Sequence, residues 1–483
     1  MGKRNYFKRG LSYLKRNGIR ETFFKAAERL ARDGAEAGYA PQTADEETLR
    51  VQRERSFARP YRFSILVPVY EPDPAVFAAM LKSVGDQTYG NWELILADSS
   101  EDESLRSTVM EFTEEYNIKC RDSFGGIHDK VRYIRTKGVK GIAANTNEAL
   151  SHVQGDYTAL LDHDDVLEKT ALFDIMEAVE KKEDRLRDEG RLSRIMVIYT
   201  DEDKVSSDGT DYFDPNIKPG FDPVLLCTNN YICHFLAVKT DLAKSVGGFR
   251  PEFDGAQDHD FILRCTENLH ESEIIHVPRV LYHWRSTKGS TSENPDAKLY
   301  AYKAGKAAVK AHLERKGIKA TVTDSPHLGF FDIGYERIEG RVKTISAKSL
   351  DRWDKEDGDD TEYLFVLADD LKMADDDTLK DMMSCMQDDR IGAVTGKIID
   401  RKKKVESAGF IRDGDGKMIP YMKGLPCHFS GYMHRASLDR LCEDASPDCM
   451  LVRRGAVISL DPLRLKDGYH IYYRHKAVFT RKR

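Results

Sequence analysis

Near the middle of the chain, LLDHDDVL sets Asp162, His163, Asp164 and Asp165 directly after an apolar, strand-like run. Three carboxylates at the end of a buried strand repel one another and lose hydration, so a positive partner normally sits among them. Oxygen ligands of this kind suit a hard divalent cation such as Mg²⁺ or Mn²⁺. The competing reading is a solvated acidic helix start, with Asp164 or Asp165 capping EKTALFDIMEAV. The four residues alone leave both readings open.

Carboxylates make a site only where the fold gathers them. RFSILVPVY reads as a continuous strand, VFAAMLKSVGDQTY as a helix and WELILADSS as a second buried strand. VRYIRTKG, GIAANTNEALSHVQ and YTALLDHDD continue as strand, helix and strand. Strands apolar throughout and alternating with helices predict an α/β fold, a mostly parallel sheet with helices on both faces. Such sheets bind ligands outside the carboxyl ends of their strands. Tyr70–Glu71, Asp98–Ser100 and Asp162–Asp165 each follow a strand, so the three clusters should meet on one edge.

At 483 residues the chain has length for two or three domains. It holds no apolar run near the ~20 residues of a membrane span. The N-terminus is basic, without the apolar core and cleavage site of a secretory signal. Eight cysteines without CxxC pairing indicate neither a zinc site nor a disulfide framework, and a reducing, cytoplasmic compartment follows. The net charge of −6 hides a basic start: residues 1–32 hold ten Lys/Arg and two acidic residues. Tyr6, Phe7, Leu11, Leu14, Phe23, Phe24 and Leu30 are interleaved among them. Such a segment can lie on an anionic leaflet, each basic residue adding roughly 1 kcal/mol, or dock as a helix on the rest of the protein.

The chain also echoes itself. YTALLDHDDVLEKTALFDIMEAV, from Tyr157, matches YLFVLADDLKMADDDTLKDMMSCM, from Tyr363. RIMVIYTDED then matches RIGAVTGKII, and FLAVKT matches CMLVRR. Ala368 faces Asp162 in this register, and Asp370 faces Asp164. Only VKTISAKS is available as a first strand before Asp360, which leaves no room for the next two strand–helix units.

RFSILVPVYEPDP, WELILADSS, GIAANTNEAL, YTALLDHDD and GGFRPEFDGAQDHDFILR, in this order and spacing, resemble a family 2 glycosyltransferase of the GT-A fold over roughly residues 62–315. TDEDK, IKPGFDPVLL, NNYICHFLAV and VLYHWRSTKGST bring the chain nearest to bacterial enzymes of surface-polysaccharide assembly. The resemblance implies a basic helical segment and linker over 1–60, a GT-A domain over 61–320 and a degenerate, truncated GT-A-like region over 321–483. It implies an inverting, metal-dependent transfer of a sugar from a UDP- or dTDP-sugar to a growing cell-surface polysaccharide. Asp164 then matches the metal-ligating carboxylate of the DxD motif, with His283 as a further Mn²⁺ or Mg²⁺ ligand. Tyr70 would stack on the base, Asp98 accept from its ring imide, and Asn147, Asp162 and Arg285 contact the rest of the donor. Asp258 matches the general base, with Asp260 as rival. Asp201, Glu202 and Asp203 compete for metal but fall on the acceptor side, as do Lys218, Asp222 and Asn230. The implied partners are the nucleotide sugar, a glycan or polyprenyl-linked acceptor and the inner membrane surface. Nucleic acid is not among them, and self-association stays open.

Two other classes fit less well. A nucleotidyltransferase needs a Gly-rich, basic loop after its first strand, and VPVYEPDP has no Lys or Arg. A catalytically silent scaffold fits the C-terminal third, yet the first domain keeps every expected acidic position.

Overall fold

The computed structural model describes residues 3–35, 38–117, 120–122, 130–136, 138–191, 194–286, 299–352 and 360–482. The chain divides into two compact units. One comprises residues 36–221 and 230–312; the other comprises 1–35, 222–229 and 313–483. Both the N-terminal segment and a short internal stretch are thus counted with the C-terminal third, which the sequence-based boundaries at 60 and 320 do not show.

In chain order, α1 (Lys3–Ala35) belongs to the second unit and α2 (Glu46–Glu54) opens the first. Then come β1 (Phe63–Val69), α3 (Pro74–Gly85), β2 (Trp92–Asp98), α4 (Leu105–Glu115), β3 (Cys120–Asp122), β4 (Val131–Arg135), α5 (Ile142–Ser151) and β5 (Tyr157–Leu160). β6 (Val166–Leu167), α6 (Ala171–Asp188), β7 (Val197–Val205) and β8 (Tyr212–Asn216) follow. Beyond α7 (Pro223–Thr228), which is counted with the second unit, lie β9 (Leu236–Lys239), α8 (Thr240–Ser245), α9 (Gln257–Thr266), β10 (Ile274–Arg285) and α10 (Leu299–Arg315).

The first unit is built on a sheet ordered β3-β4-β2-β1-β5-β9-β7-β10-β6, with β8 on β7. Strands from β3 to β5 are mutually parallel. β9 runs antiparallel to both β5 and β7, β10 is parallel to β7, and β6 is antiparallel to β10. The parallel half is the one with continuous apolar strands: all of β2 is buried, as are Phe63, Ile65, Leu66, Val67 and Val69 of β1. α3 covers it with Phe77, Met80, Leu81 and Val84, and α6 adds Leu172, Phe173, Ile175, Met176 and Val179. Each such side chain contributes about 2 kcal/mol on full burial. Strand direction in the other half was not legible from periodicity, because a fully buried strand looks the same in either sense.

The second unit carries a hairpin of β11 (Ala320–Asp324) and β12 (Phe331–Tyr335). Its main sheet uses β13 (Val342–Ser346), β14 (Tyr363–Leu367), β15 (Leu371–Met373), β16 (Ile391–Ile399) and β17 (Val405–Ala408). α11 (Thr378–Ser384) lies between β15 and β16 in the chain, and β18 (Phe410–Arg412) and β19 (Met418–Pro420) form a second hairpin. β20 (Arg440–Cys442), β21 (Cys449–Arg453), the hairpin β22 (Val457–Leu460) and β23 (Leu463–Leu465), and β24 (His470–Arg481) complete it. The order is β13-β14-β21-β16-β24-β15, with β17 on β16 and β20 on β24.

α1, interrupted at Gly18 (φ 79°), is docked within this unit. The Glu28 carboxylate accepts from Ser430 Oγ at 2.9 Å and from the Gly431 amide at 2.5 Å. Phe24 stacks on His428 at 3.9 Å, and Asn17 donates to the Pro326 carbonyl at 3.2 Å. Ile19, Phe23 and Leu30 are left 80%, 68% and 75% exposed. No helix among the described residues is long and apolar enough to cross a membrane.

Candidate active site

The parallel registers Val69↔Asp98 and Leu66↔Leu160 bring the carboxyl ends of β1, β2 and β5 side by side. Outside them lies a cavity of about 970 Å³. Tyr70, Asp162, Asp164 and Asp258 line it, together with His163, Asn145, Cys233, His234, Asp254, Gln257, Trp284 and Tyr300. Tyr70, directly beyond β1, is 56% exposed and presents its ring there.

Oxygen atoms of Asp162, Asp164 and Asp165 lie within 4.8 Å of one another. Asp165 forms the buried floor. Its Oδ2 accepts from the Tyr282 hydroxyl and its Oδ1 from the Arg285 amide at 2.7 Å. Burial, then the charges of Asp164 and Asp162, push its carboxyl well above the ordinary value. Burial and Asp165 likewise raise the Tyr282 hydroxyl. Asp162 and Asp164 face the cavity, half-buried. This crowded, all-oxygen donor set fits a hard divalent cation.

Four residues expected at the donor sit elsewhere. Asp98 is fully buried and outside the cavity lining. It accepts from the Ser100 amide at 2.9 Å, from the Tyr133 hydroxyl and from Arg135 Nη1 at 2.5 Å, so its charge is spent within the sheet end. Asn147 is bonded both ways to Phe249, its Nδ2 to the carbonyl at 2.7 Å and its Oδ1 to the amide at 2.8 Å. It ties α5 to the 247–249 turn. Arg285 is buried behind the acidic loop, with Nε donating to the Asp164 carbonyl at 2.9 Å and Nη1 to the Ser207 carbonyl at 3.2 Å. It clamps backbone and presents no fork to the cavity.

His283 is also buried, with Nδ1 2.6 Å from Asp203 Oδ1 and Nε2 3.6 Å from Glu168 Oε2. Burial alone would lower its pKa, but hydrogen bonds and charge from Asp203 and Glu168 outweigh this and raise it to about 9. With each ring nitrogen turned to an interior carboxylate, His283 lies outside the cavity lining and is not among the groups that face the acidic loop's open side.

The second acidic cluster is consumed internally. Asp201 Oδ1 accepts from the Lys218 amide and meets His276 Nε2, both at 2.8 Å. Glu202 pairs with buried Lys218 Nζ at 3.1 Å, and Lys218 also donates to the carbonyls of Ile232 and His234. Asp203 holds His283 and accepts from the Tyr39 hydroxyl at 3.0 Å. Within the second unit, Asp222 caps α7 and accepts from the Leu441 amide at 2.8 Å, and its burial raises it to about 6.

At the start of α9, Asp258 and Asp260 separate cleanly. Asp258 lines the cavity, and its Oδ2 accepts from Asn230 Nδ2 at 2.7 Å. Asp260 is fully buried between Arg250 and Arg264, with contacts of 3.0 and 2.9 Å. Burial would raise Asp260, but the two guanidinium groups hold it below the usual carboxylate range. Another carboxylate, Asp254, caps α5 through the Ala143 amide at 2.9 Å. A Cβ at Gly141 (φ +91°) would lie 2.1 Å from Asp254 Oδ2, so the cap requires glycine.

Sequence reading gave no role to His234 or Trp284, although both lie in quoted motifs. His234 stacks on Tyr282 at 4.6 Å, its Nε2 is 3.7 Å from Asp162 Oδ2, and its buried Nδ1 has no partner.

The site is thus a cavity beyond parallel strand ends, with two cavity-facing aspartates directly after β5. The family model described as Glycosyl transferase family 2 matches residues 64–195. The chain carries a family 2 glycosyltransferase domain. Among curated relatives, the protein y4gI of Sinorhizobium fredii, itself uncharacterized, is 28% identical over 460 residues, covering 81% of this chain and 48% of that one. The O-antigen biosynthesis protein RfbC of Myxococcus xanthus is 30% identical over 260 residues, 54% of this chain and 18% of that one. The UDP-Glc:alpha-D-GlcNAc-diphosphoundecaprenol beta-1,3-glucosyltransferase WfgD of Escherichia coli is 30% identical over 106 residues, 22% and 36% of the two chains. The chain therefore spans half or less of each of these relatives. The glycosyltransferase match ends at Ile195, whereas the cavity draws Asp258 and Trp284 from beyond it.

Proposed function

We propose that the protein transfers a sugar, with inversion, from a UDP- or dTDP-sugar to a hydroxyl of a growing, lipid-linked cell-surface glycan. The observation that carries this is the cavity onto which Tyr70, the Asp162/Asp164 pair and Asp258 all open. Tyr70 stacks on the pyrimidine. Asp98, through Arg135 and Ser100, sets the end of β2 and does not read the base directly. Asp162 and Asp164 would hold Mn²⁺ or Mg²⁺, which would supply neutralisation of the charge that grows on the diphosphate. Asp258 accepts the proton of the acceptor hydroxyl. That oxygen bonds to the anomeric carbon, and the carbon–oxygen bond to the diphosphate breaks with its electron pair leaving on the diphosphate. Asn230 binds one Asp258 oxygen and leaves the other to take the proton. The relatives named for O-antigen biosynthesis and for a diphosphoundecaprenol acceptor support the acceptor class. The exposed apolar residues of basic α1 support contact with an anionic membrane surface.

The test is release of free nucleoside diphosphate from a panel of UDP- and dTDP-sugars, with and without Mn²⁺ or Mg²⁺ and a lipid-linked acceptor. Metal-dependent release from at least one donor is expected. No release from any donor, together with no metal-dependent nucleotide binding, would refute the reading.

A further inference from the structure

The two sheets share one topology. In the first unit β1-β5-β9-β7-β10-β6 are neighbours, with β8 on β7; in the second, β13-β14-β21-β16-β24-β15 are neighbours, with β17 on β16. Each pairing has the same sense. β1/β5 and β13/β14 are parallel, as are β7/β10 and β16/β24. The pairs through β9 and β21, through β6 and β15, and through β8 and β17 are antiparallel. These strands also occur in the same order along the chain.

The registers correspond at matching rungs, although β7/β10 carries a further shift between Val280 and Tyr282 and β16/β24 one between Ile391 and Ala393. Tyr157↔Lys239 corresponds to Tyr363↔Arg453, and Val197↔Val238 to Ala393↔Val452. Thr200↔Val277 is followed by a bulge before Asp201↔Val280; Gly396↔Arg474 is followed by a bulge before Lys397↔Val478, on the same rung. Val166↔His283 and Leu167↔Tyr282 correspond to Lys372↔Thr480 and Met373↔Phe479. Counted back from those rungs, Asp370 stands where Asp164 stands. Independent ladders therefore agree with the alignment of the two sequence segments.

Within this preserved frame the ionic parts are exchanged together. Asp162 becomes Ala368, Asp165 with Tyr282 becomes Leu371 with Phe479, and Asp203 with His283 becomes Ile399 with Thr480. Trp284 becomes Arg481. The Arg481 guanidinium donates to Asp370 Oδ1 at 2.8 Å, to Glu406 through Nε at 3.0 Å, and to Asp448. β13 has no described partner on its outer edge, where β1 has β2. The strands corresponding to β2–β4 are thus missing among the described residues.

We infer that residues 340–482 are a second, shortened copy of the glycosyltransferase sheet in which the Arg481 side chain stands in for the bound cation. The copy lacks the nucleotide-binding strands, and its one retained acidic-loop carboxylate at the metal position is neutralised from within. Each chain then has one catalytic centre. This rests on the reading of Asp164 as a metal ligand.

Calorimetric titration of the full chain with Mn²⁺ and UDP tests it. Asp370→Asn is expected to keep the wild-type stoichiometry and an affinity within about twofold, whereas Asp164→Asn loses binding. Arg481→Met leaves Asp370, Glu406 and Asp448 facing one another; its melting temperature should fall and be restored by millimolar Mn²⁺, and Arg481→Lys should show no such rescue. A second Mn²⁺ equivalent in wild type that Asp370→Asn removes, or a tenfold loss of Mn²⁺–UDP affinity in Asp370→Asn, would overturn the inference. So would an Arg481→Met protein that folds and shows no Mn²⁺-dependent rise. Wild type that binds no Mn²⁺–UDP at all counts against the proposed function, while the Arg481→Met melting series still decides the stand-in.

Discussion

Asp258 and Asp260 stand two positions apart at one helix start, yet their surroundings assign them different work. A carboxylate closed between two guanidinium groups cannot take a proton from a substrate, while one on a cavity wall, held through a single oxygen by the Asn230 amide and the Cys233 thiol, can. Asp258→Asn should therefore lower turnover by about 10²–10⁴-fold with donor binding retained, read by initial rates and nucleotide titration. Asp260→Asn should instead destabilise the fold by about 3–5 kcal/mol, because it strands Arg250 and Arg264 against a neutral group. A denaturant midpoint unchanged from wild type in that variant would remove the structural assignment. Asp164→Asn should nearly abolish transfer and metal-dependent nucleotide binding, since the cavity-facing pair would keep a single charge. Retained Mn²⁺-dependent activity would refute it.

At the scale of elements, the acidic loop after β5 is held from β10. Tyr282, the Arg285 amide and the Arg285 side chain grip Asp165 and the Asp164 carbonyl, and His283 locks β10 to β7 through Asp203. The His283 pKa is raised from 6.5 to about 9, so its pairing stabilises fully below about pH 6.5 and is lost as pH climbs through 9. The shift corresponds to about 3 kcal/mol. Thermal melts between pH 6 and 10 should show the wild type losing stability across that window and His283→Gln, already less stable, losing less. Equal slopes for the two proteins would break the link.

For the whole molecule, the basic segment is both docked and exposed. Glu28, Phe24 and Asn17 fix α1 within the second unit, while Ile19, Phe23 and Leu30 remain open. Removing residues 1–33 should therefore do two things: reduce co-sedimentation with anionic vesicles at low salt and lower the melting temperature. Sedimentation equal to full-length protein at low and high salt would refute the membrane contact. A melting temperature unchanged by the deletion would show that docking adds nothing to stability.

The sequence by itself determined the strand–helix alternation, the edge on which Tyr70 and Asp162–Asp165 meet, and the internal echo from Tyr363, because period, apolar content and self-similarity are local properties. Only the tertiary structure decided which charged groups face the cavity. Asp98, Arg285 and His283 carry the residue types of a donor site, but each has its polar atoms committed to strands or turns distant in sequence. Spacing along the chain cannot reveal such partners: Arg135 for Asp98, Asp203 for His283 and the Asp164 carbonyl for Arg285 are known only once the sheet is assembled. His234 and Trp284 are the converse case, ordinary in sequence and brought to the cavity by antiparallel β9 and by β10, whose directions no periodicity encodes.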